Sequence, residues 1–414
     1  MLFGLAALLC LVAYSTATIL QNGQVRVTDY PDTKIELSEG SWMTYGANAT
    51  EIHYIGRWDA KHVSHWSAPG IRFGFTGDDV AVTFGSYTQP GTLVGYRVSG
   101  MDWQFTNVTG GATHQFTNSR TPGINETYPF NPNVFEMRVS NWGYGIQLDK
   151  IHVSEGESIV KPDARPRTIE FIGDSLSAGM YNSYEALFGF AYGVGEGLGN
   201  TEYSITARPG ICVTDQECFG NPRGHSRQWF YTTPGDWRSR ELWGDKEHPW
   251  NFDAHPAADL VVINIGTNDA NEANNVDSAD YVTHYKRLIQ GVHGKWPKAQ
   301  VIIMKMWIGF FQSGNSYFQS HDLANEVYSV YEYFNSEEYL SAPVIYDGVT
   351  NETTTLGEPT EPFVHFFNTT GILQFNDIGP LWHPTDVGQI KMASHLIQYI
   401  STKFGWEMMA TGPE

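Results

Sequence analysis

Leu260-Val261-Val262-Ile263-Asn264-Ile265 is an almost continuous apolar run between Asp259 and Gly266. A strand of that length without polar alternation needs cover on both faces, as in a parallel sheet flanked by helices. Val301-Ile302-Ile303-Met304 and Pro343-Val344-Ile345-Tyr346 have the same character, and Thr168 to Ile172 is a short β-prone run ending at Gly173. Between them apolar residues recur at helical spacing: Tyr281, Tyr285, Leu288, Ile289 and Val292, then Leu323, Val327, Val330, Tyr331 and Phe334. Val387, Ile390, Ala393, Leu396, Ile397 and Ile400 form a last stripe, read as a core-facing one. Strands alternating with helices predict an α/β domain over 168–414, its parallel sheet flanked by helices. The stretches 181–200 and 221–255 resist assignment.

Upstream the period changes. Ile71-Arg72-Phe73-Gly74-Phe75 and Val80-Ala81-Val82-Thr83-Phe84 alternate, and Val94–Val98 and Val134–Val139 follow as further short runs. Turn residues separate them, so 18–155 reads as an all-β sandwich. Residues 156–167, with Pro162 and Pro166 among mixed charges, read as an irregular linker. A chain of 414 residues suits two such domains.

Residues 1–17 form an apolar run ending in Ser15-Thr16-Ala17, the pattern of a secretory signal peptide. It falls short of the ~20 residues that a spanning helix needs. The expected product is secreted, soluble and monomeric. Cys10 leaves with the signal, and Cys212 and Cys218 are expected to pair in that oxidising route. Asn48, Asn107, Asn125, Asn351 and Asn368 each head an Asn-x-Ser/Thr acceptor for N-glycosylation. Acidic residues outnumber basic ones 45 to 25, giving a net charge of −20. Such a surface repels nucleic acid and anionic membranes. Aromatic residues make up 14% of the chain, a weak pointer towards sugar rings, whose apolar faces stack on aromatics.

Four segments carry the chemistry. Gly173-Asp174-Ser175-Leu176 follows a predicted strand, so Ser175 is expected to stand exposed on the first turn of a helix, among outward N–H groups. Gly266-Thr267-Asn268-Asp269 follows the longest apolar run and can present the Asn268 amide to a cleft. Gly210, in Ala207-Arg208-Pro209-Gly210, offers a backbone N–H. In Trp382-His383-Pro384-Thr385, before the last helix, His383 is placed as a general base. Taken singly, each also fits a plain turn or cap.

In this order the blocks resemble the SGNH hydrolase family, also called GDSL esterases. The resemblance spans about residues 168 to 405. It implies Ser175 as nucleophile and His383 as base, with the N–H groups of Ser175 and Gly210 and the amide of Asn268 as oxyanion hole. It implies no metal and no cofactor. Gly56-Arg57-Trp58, Trp66, Ile71-Arg72-Phe73 and Phe75-Thr76-Gly77 upstream resemble carbohydrate esterase family two. That implies a jelly-roll domain packed on the hydrolase domain. The implied reaction removes acetyl groups from hexose or xylose units of polysaccharide or oligosaccharide, preferentially at the 6-position.

One departure is plain. The family usually places an Asp two or three residues before the histidine, and here those positions hold Leu381 and Pro380. A carbonyl in 378–381 can orient the imidazole, Asp377 can swing in, or the site is inactive. Asp386 reads as a charge stabilising the start of the last helix, and Asp269 and Asp174 as residues that fix their loops rather than react. Candidates for holding substrate are Trp307 past a strand end, Trp382 beside the base, and Asp174 beside the serine. The region Trp229–Trp250, with Trp237 and Trp243, either walls the cleft or packs on the β domain. Two other classes compete with the carbohydrate esterase: a lipid or short-chain ester hydrolase of the same fold, and a polysaccharide-binding protein with a vestigial site.

Overall fold

The computed structural model describes residues 20–21, 24–25, 29–124, 132–143, 145–307 and 309–410. The 1–17 run and Asn125 lie outside them. The first part is a sandwich of two six-stranded antiparallel sheets. Four of its strands are labelled here: β1 (Gly70–Phe75), β2 (Val80–Phe84), β3 (Thr92–Val98) and β4 (Asn133–Val139). One sheet orders Gln104–Val108, β3, β4, β1 and Ile159–Val160. The other orders Lys34–Ile35, Thr113–Thr117, β2, Ile146–Ser154 and Trp42–Gly46. Phe73, Phe75, Val82, Phe84, Phe135 and Ile151 fill the space between them.

Period-2 alternation sends the opposite set of side chains to the outer face of the first sheet. That set is Arg72, Arg97, Glu136 and Arg138, and it is buried too. The second domain covers it. Arg97 bridges Glu136 at 2.8 Å and Glu196 at 2.7 Å, and Arg72 bridges Glu202 at 2.9 Å. Arg138 lies 3.8 Å over the Tyr203 ring and donates to the Tyr203 carbonyl at 3.2 Å. Nearby, buried Arg57 pairs with Glu170 at 3.1 Å and donates to the Tyr231 carbonyl at 2.9 Å.

The second domain holds a five-stranded, wholly parallel sheet. Its strands are β5 (Arg167–Gly173), β6 (Thr201–Ala207), β7 (Leu260–Asn264), β8 (Gln300–Met304) and, after the hairpin β9 (Phe310–Ser313) and β10 (Ser316–Gln319), β11 (Val364–Phe367). The order is β6-β5-β7-β8-β11. Helices α1 (Phe190–Leu198) and α4 (Asp386–Phe404) pack on each other, as do α2 (Ser278–Lys295) and α3 (Ala324–Phe334). The chain leaves β5 towards β6 and returns past it to β7. The switch in direction opens a crevice at the carboxyl end of β5.

Several expectations need correction. Val344–Asp347 does not join the parallel sheet but pairs antiparallel with Glu352–Thr355. The fifth strand is β11, whose Val-His-Phe-Phe sequence lacks a distinctive apolar run. Val387 and Ile390 are exposed, and the buried face of α4 is set by Gly388, Gln389, Met392, Ala393, Leu396 and Ile400. Polar Gln389 on that face defeats a reading by hydropathy alone. The 156–167 stretch is tied down: Ile159–Val160 pairs with β1, and Arg165 bridges Glu136 at 2.9 Å. In the 221–255 stretch, Trp229 is core, while the Trp243 indole donates to Asp59 at 2.7 Å, so it packs on the sandwich.

Removing one partner of a buried ion pair leaves an uncompensated charge, which costs about 3–5 kcal/mol. Glu170→Ala, which strands Arg57 in the seam, is therefore expected to lower the urea midpoint of the first unfolding transition by that equivalent. An unchanged midpoint means that the pair contributes nothing net.

Candidate active site

The turn after β5 is the first piece. A Cβ on Gly173 would lie 2.6 Å from the Asn264 carbonyl oxygen and 2.2 Å from Ser177 Oγ, so only glycine fits there. Residues 174–180 form turns rather than the expected helix, and Gly179 at φ +67° interrupts any continuation. Ser175 is 4% exposed and thus sits at the bottom of the crevice instead of standing out. Its N–H has no hydrogen-bond partner among the described residues.

The second piece follows β6. Arg208 N donates to the Gly173 carbonyl at 3.2 Å and carries the β5–β6 pairing into the loop. Asp269 fixes that loop by accepting the Val213 N–H at 2.9 Å and the Thr214 N–H at 3.0 Å. Cys212 and Cys218 close it with a disulfide. Gly210 takes φ +81°, and its N–H also lacks a partner among the described residues. Asn268 Nδ2 donates to the Ile211 carbonyl at 2.8 Å, which commits one amide proton and fixes the side chain. Its second proton is not used in that bond.

The third piece carries the histidine. His383 Nε2 lies 2.7 Å from Ser175 Oγ, and His383 Nδ1 lies 2.8 Å from the Leu381 carbonyl oxygen. A carbonyl only accepts, so Nδ1 carries the proton and the Nε2 lone pair faces the serine hydroxyl. To present that carbonyl, Leu381 and Trp382 both take left-handed backbone, at φ 49° and 67°. Two such residues in succession are strained conformations of the kind found at functional sites. Asp377 is engaged elsewhere: both carboxylate oxygens lie 2.8 Å from Lys391 Nζ.

Two substrate-side candidates are overturned. Asp174 is 0% exposed, and its Oδ1 accepts the Leu176 N–H at 3.0 Å. It shapes the turn and is sealed from any ligand. Trp307 is 1% exposed and packs edge-on against Phe190 in the core. Trp382 is 60% exposed and lies against Gly309 at the mouth of the crevice. Asn48, Asn107, Asn351 and Asn368 are all exposed.

A profile of the GDSL-like lipase/acylhydrolase family matches residues 171–389, just over half of the chain. The chain belongs to that family. The fold resembles solved structures across both domains. A family two carbohydrate esterase from Clostridium thermocellum, in complex with cellohexaose, is 20% identical, with 86% of this chain and 99% of that one covered at a TM-score of 0.60. The acetyl xylan esterase Est2A from Butyrivibrio proteoclasticus is 15% identical, with 88% and 100% covered at 0.64. A carbohydrate esterase family 2 enzyme from Corynascus thermopiles is 17% identical, with 86% and 100% covered at 0.61. A search of curated proteins finds no match.

Three residues of this GDSL hydrolase escaped the sequence reading. Tyr181 sets its ring edge-on to His383 at 4.9 Å between centroids. Asn182 and Gln389 tie the serine turn to the histidine loop. Asn182 Nδ2 donates to the Pro384 carbonyl at 3.2 Å, while Gln389 Nε2 donates to Asn182 Oδ1 at 3.0 Å and to the Leu176 carbonyl at 3.3 Å. Asp386 adds to this clamp by accepting the Ser183 N–H at 3.0 Å. Gln389 lies three residues after Asp386 in the first turn of α4, the one signal by which it was findable.

Burial pushes the Asp174 carboxyl from an ordinary 3.8 up to about 7. Between those pH values the folded state keeps a proton that the unfolded chain releases, so stability falls as pH rises. Asp174→Asn keeps an acceptor and removes the titration. The melting temperature of the native protein relative to this variant is expected to fall from about pH 4 to 7 and to level off above. A gap independent of pH contradicts the assignment.

Proposed function

We propose that this GDSL hydrolase is a secreted serine esterase that removes acetyl groups from carbohydrate, with Ser175 as nucleophile and His383 as base. The observation that carries the reading is the 2.7 Å contact between Ser175 Oγ and His383 Nε2, with Nδ1 held by a carbonyl. In this reading His383 takes the hydroxyl proton as Ser175 attacks the acetyl carbonyl carbon. The N–H groups of Ser175 and Gly210 and the second Asn268 amide proton receive the oxyanion. The tetrahedral intermediate collapses, the sugar oxygen leaves with the proton from His383, and water hydrolyses the acetyl-serine by the same route. The Leu381 carbonyl takes the usual Asp's part in fixing the tautomer, without its charge.

Carbohydrate is favoured by the two-domain likeness to enzymes named as carbohydrate esterases. Exposed Trp382 beside the base offers a ring for a sugar face to stack on. Secretion and glycosylation rest on the 1–17 run, the exposed acceptor asparagines and the disulfide. A second reading, a hydrolase of lipid esters, draws on exposed Phe311 and Phe318, paired on the outer face of the β9–β10 hairpin.

Ser175→Ala and His383→Ala are each expected to lower kcat for acetate release by about 10⁴–10⁶ with the melting temperature preserved. Asn268→Ala is expected to lower kcat by about 10²–10³. Assays on acetylated xylan, acetylated glucomannan and a p-nitrophenyl ester series read all three. Octanoate cleaved faster than acetate would sink the carbohydrate reading in favour of lipid.

A further inference from the structure

Lys305 directly follows β8 and is 8% exposed. Buried cations normally face a carboxylate. Among the described residues this one has none within 4.0 Å. Its Nζ bonds instead to neutral groups, Thr370 Oγ1 at 2.6 Å and His321 Nδ1 at 3.2 Å. The backbone holds it rigidly: Lys305 N donates to the Phe367 carbonyl at 3.0 Å, and the Lys305 carbonyl accepts Thr369 Oγ1 at 2.8 Å. An ammonium has three protons, and two are used.

Beside it is a second unspent donor. Gln319 Oε1 accepts the N–H of Gly371, next to Thr370, at 3.4 Å, which fixes the amide orientation. Gln319 Nε2 is then buried with no partner. His321 adds a third donor. Its Nδ1 accepts from the ammonium, so its proton sits on Nε2, and the residue is exposed. The three residues meet around Thr370 and Gly371 at the base of the β9–β10 hairpin, where Lys305 holds Thr370 and His321, and Gln319 holds Gly371.

The register places this cluster relative to the serine. Ile172, Ile263 and Ile303 are aligned across β5, β7 and β8. Lys305 is therefore level with Asp174 at the same carboxyl end, two strand spacings or roughly 10 Å from the serine turn. That is the scale of neighbouring units in a sugar chain. The repulsion from the net charge of −20 is screened beyond about 8 Å at physiological salt, so a local uncompensated cation decides at contact range.

We propose that Lys305, His321 and Gln319 form an anion subsite that takes the carboxylate of an acidic sugar lying one or two units from the acetylated one. This rests on the carbohydrate-esterase reading and narrows its substrate to uronate-bearing glycans.

The test uses the full chain carrying Ser175→Ala, titrated calorimetrically with unacetylated trigalacturonate, with xylotriose and with sodium acetate. Trigalacturonate is expected to bind on the order of tenfold tighter than xylotriose, as a charge-assisted contact gives. Adding Lys305→Gln is expected to abolish the preference, and Lys305→Arg to keep it. If Lys305→Gln fails to fold, Gln319→Leu replaces it and is expected to reduce the preference severalfold. Equal affinity for the two trisaccharides, a preference that survives Lys305→Gln or, in its place, Gln319→Leu, or acetate binding as tightly as trigalacturonate overturns the proposal. Acetate release from p-nitrophenyl acetate by the native protein tests the esterase reading separately. Its loss alongside a retained acid preference overturns that reading and leaves the subsite standing.

Discussion

The charged seam between the two domains is the constraint on which the site depends. β6 is an edge strand of the parallel sheet, and an open edge invites unwanted pairing. The sandwich closes it: Ser67 bridges Ile205, its hydroxyl donates to the Ala207 carbonyl at 2.9 Å, and Arg138 bonds the Tyr203 carbonyl. The loop leaving β6 inherits that rigidity. Arg208, at its start, bridges Asp236 at 2.6 Å and donates to the His65 carbonyl at 3.2 Å. Gly210 is two residues further on. The sandwich thereby steadies the loop that carries Gly210.

A second set of polar contacts brings together two chain segments about two hundred residues apart. Ser175 and His383 meet because Asn182, Asp386 and Gln389 bind the serine turn to the beginning of α4. Asn182 and Gln389 are buried and Asp386 is half-buried, and each finds a partner in the other segment. A buried amide left unpaired costs about 1–3 kcal/mol, which selects against arrangements that separate the two loops. The imidazole Nδ1 is held by a backbone carbonyl, that of Leu381. A carbonyl fixes the tautomer as a carboxylate does but contributes less charge to the imidazolium, and the left-handed pair Leu381–Trp382 is the conformation that makes the carbonyl available.

The strands and helices with strong periodicity were legible in the chain, because their burial is symmetrical: β7 and β8 are apolar on both faces, and α2 has a clean stripe. β11 was not legible, since His365 and Phe366 are only half-buried at the sheet's other edge. α4 was misread because it buries Gln389 for hydrogen bonds and exposes Val387 and Ile390. Trp307 and Asp174 were misplaced for a related reason. A residue at a strand end faces the crevice or the core depending on one backbone rotation, and composition does not encode it.

By itself the sequence determined the order of the two domains, the alternation that builds each, and the short blocks holding Ser175, Gly210, Asn268 and His383. Local rules suffice there, since glycine at a close approach and an apolar run under two layers of helix leave few alternatives. Only the tertiary structure decided what orients His383, that Trp382 meets solvent while Trp307 does not, and that Lys305 is buried with no carboxylate partner among the described residues. Each of those depends on groups far apart in the chain competing for one partner, and the winner is fixed by distances that exist after folding alone.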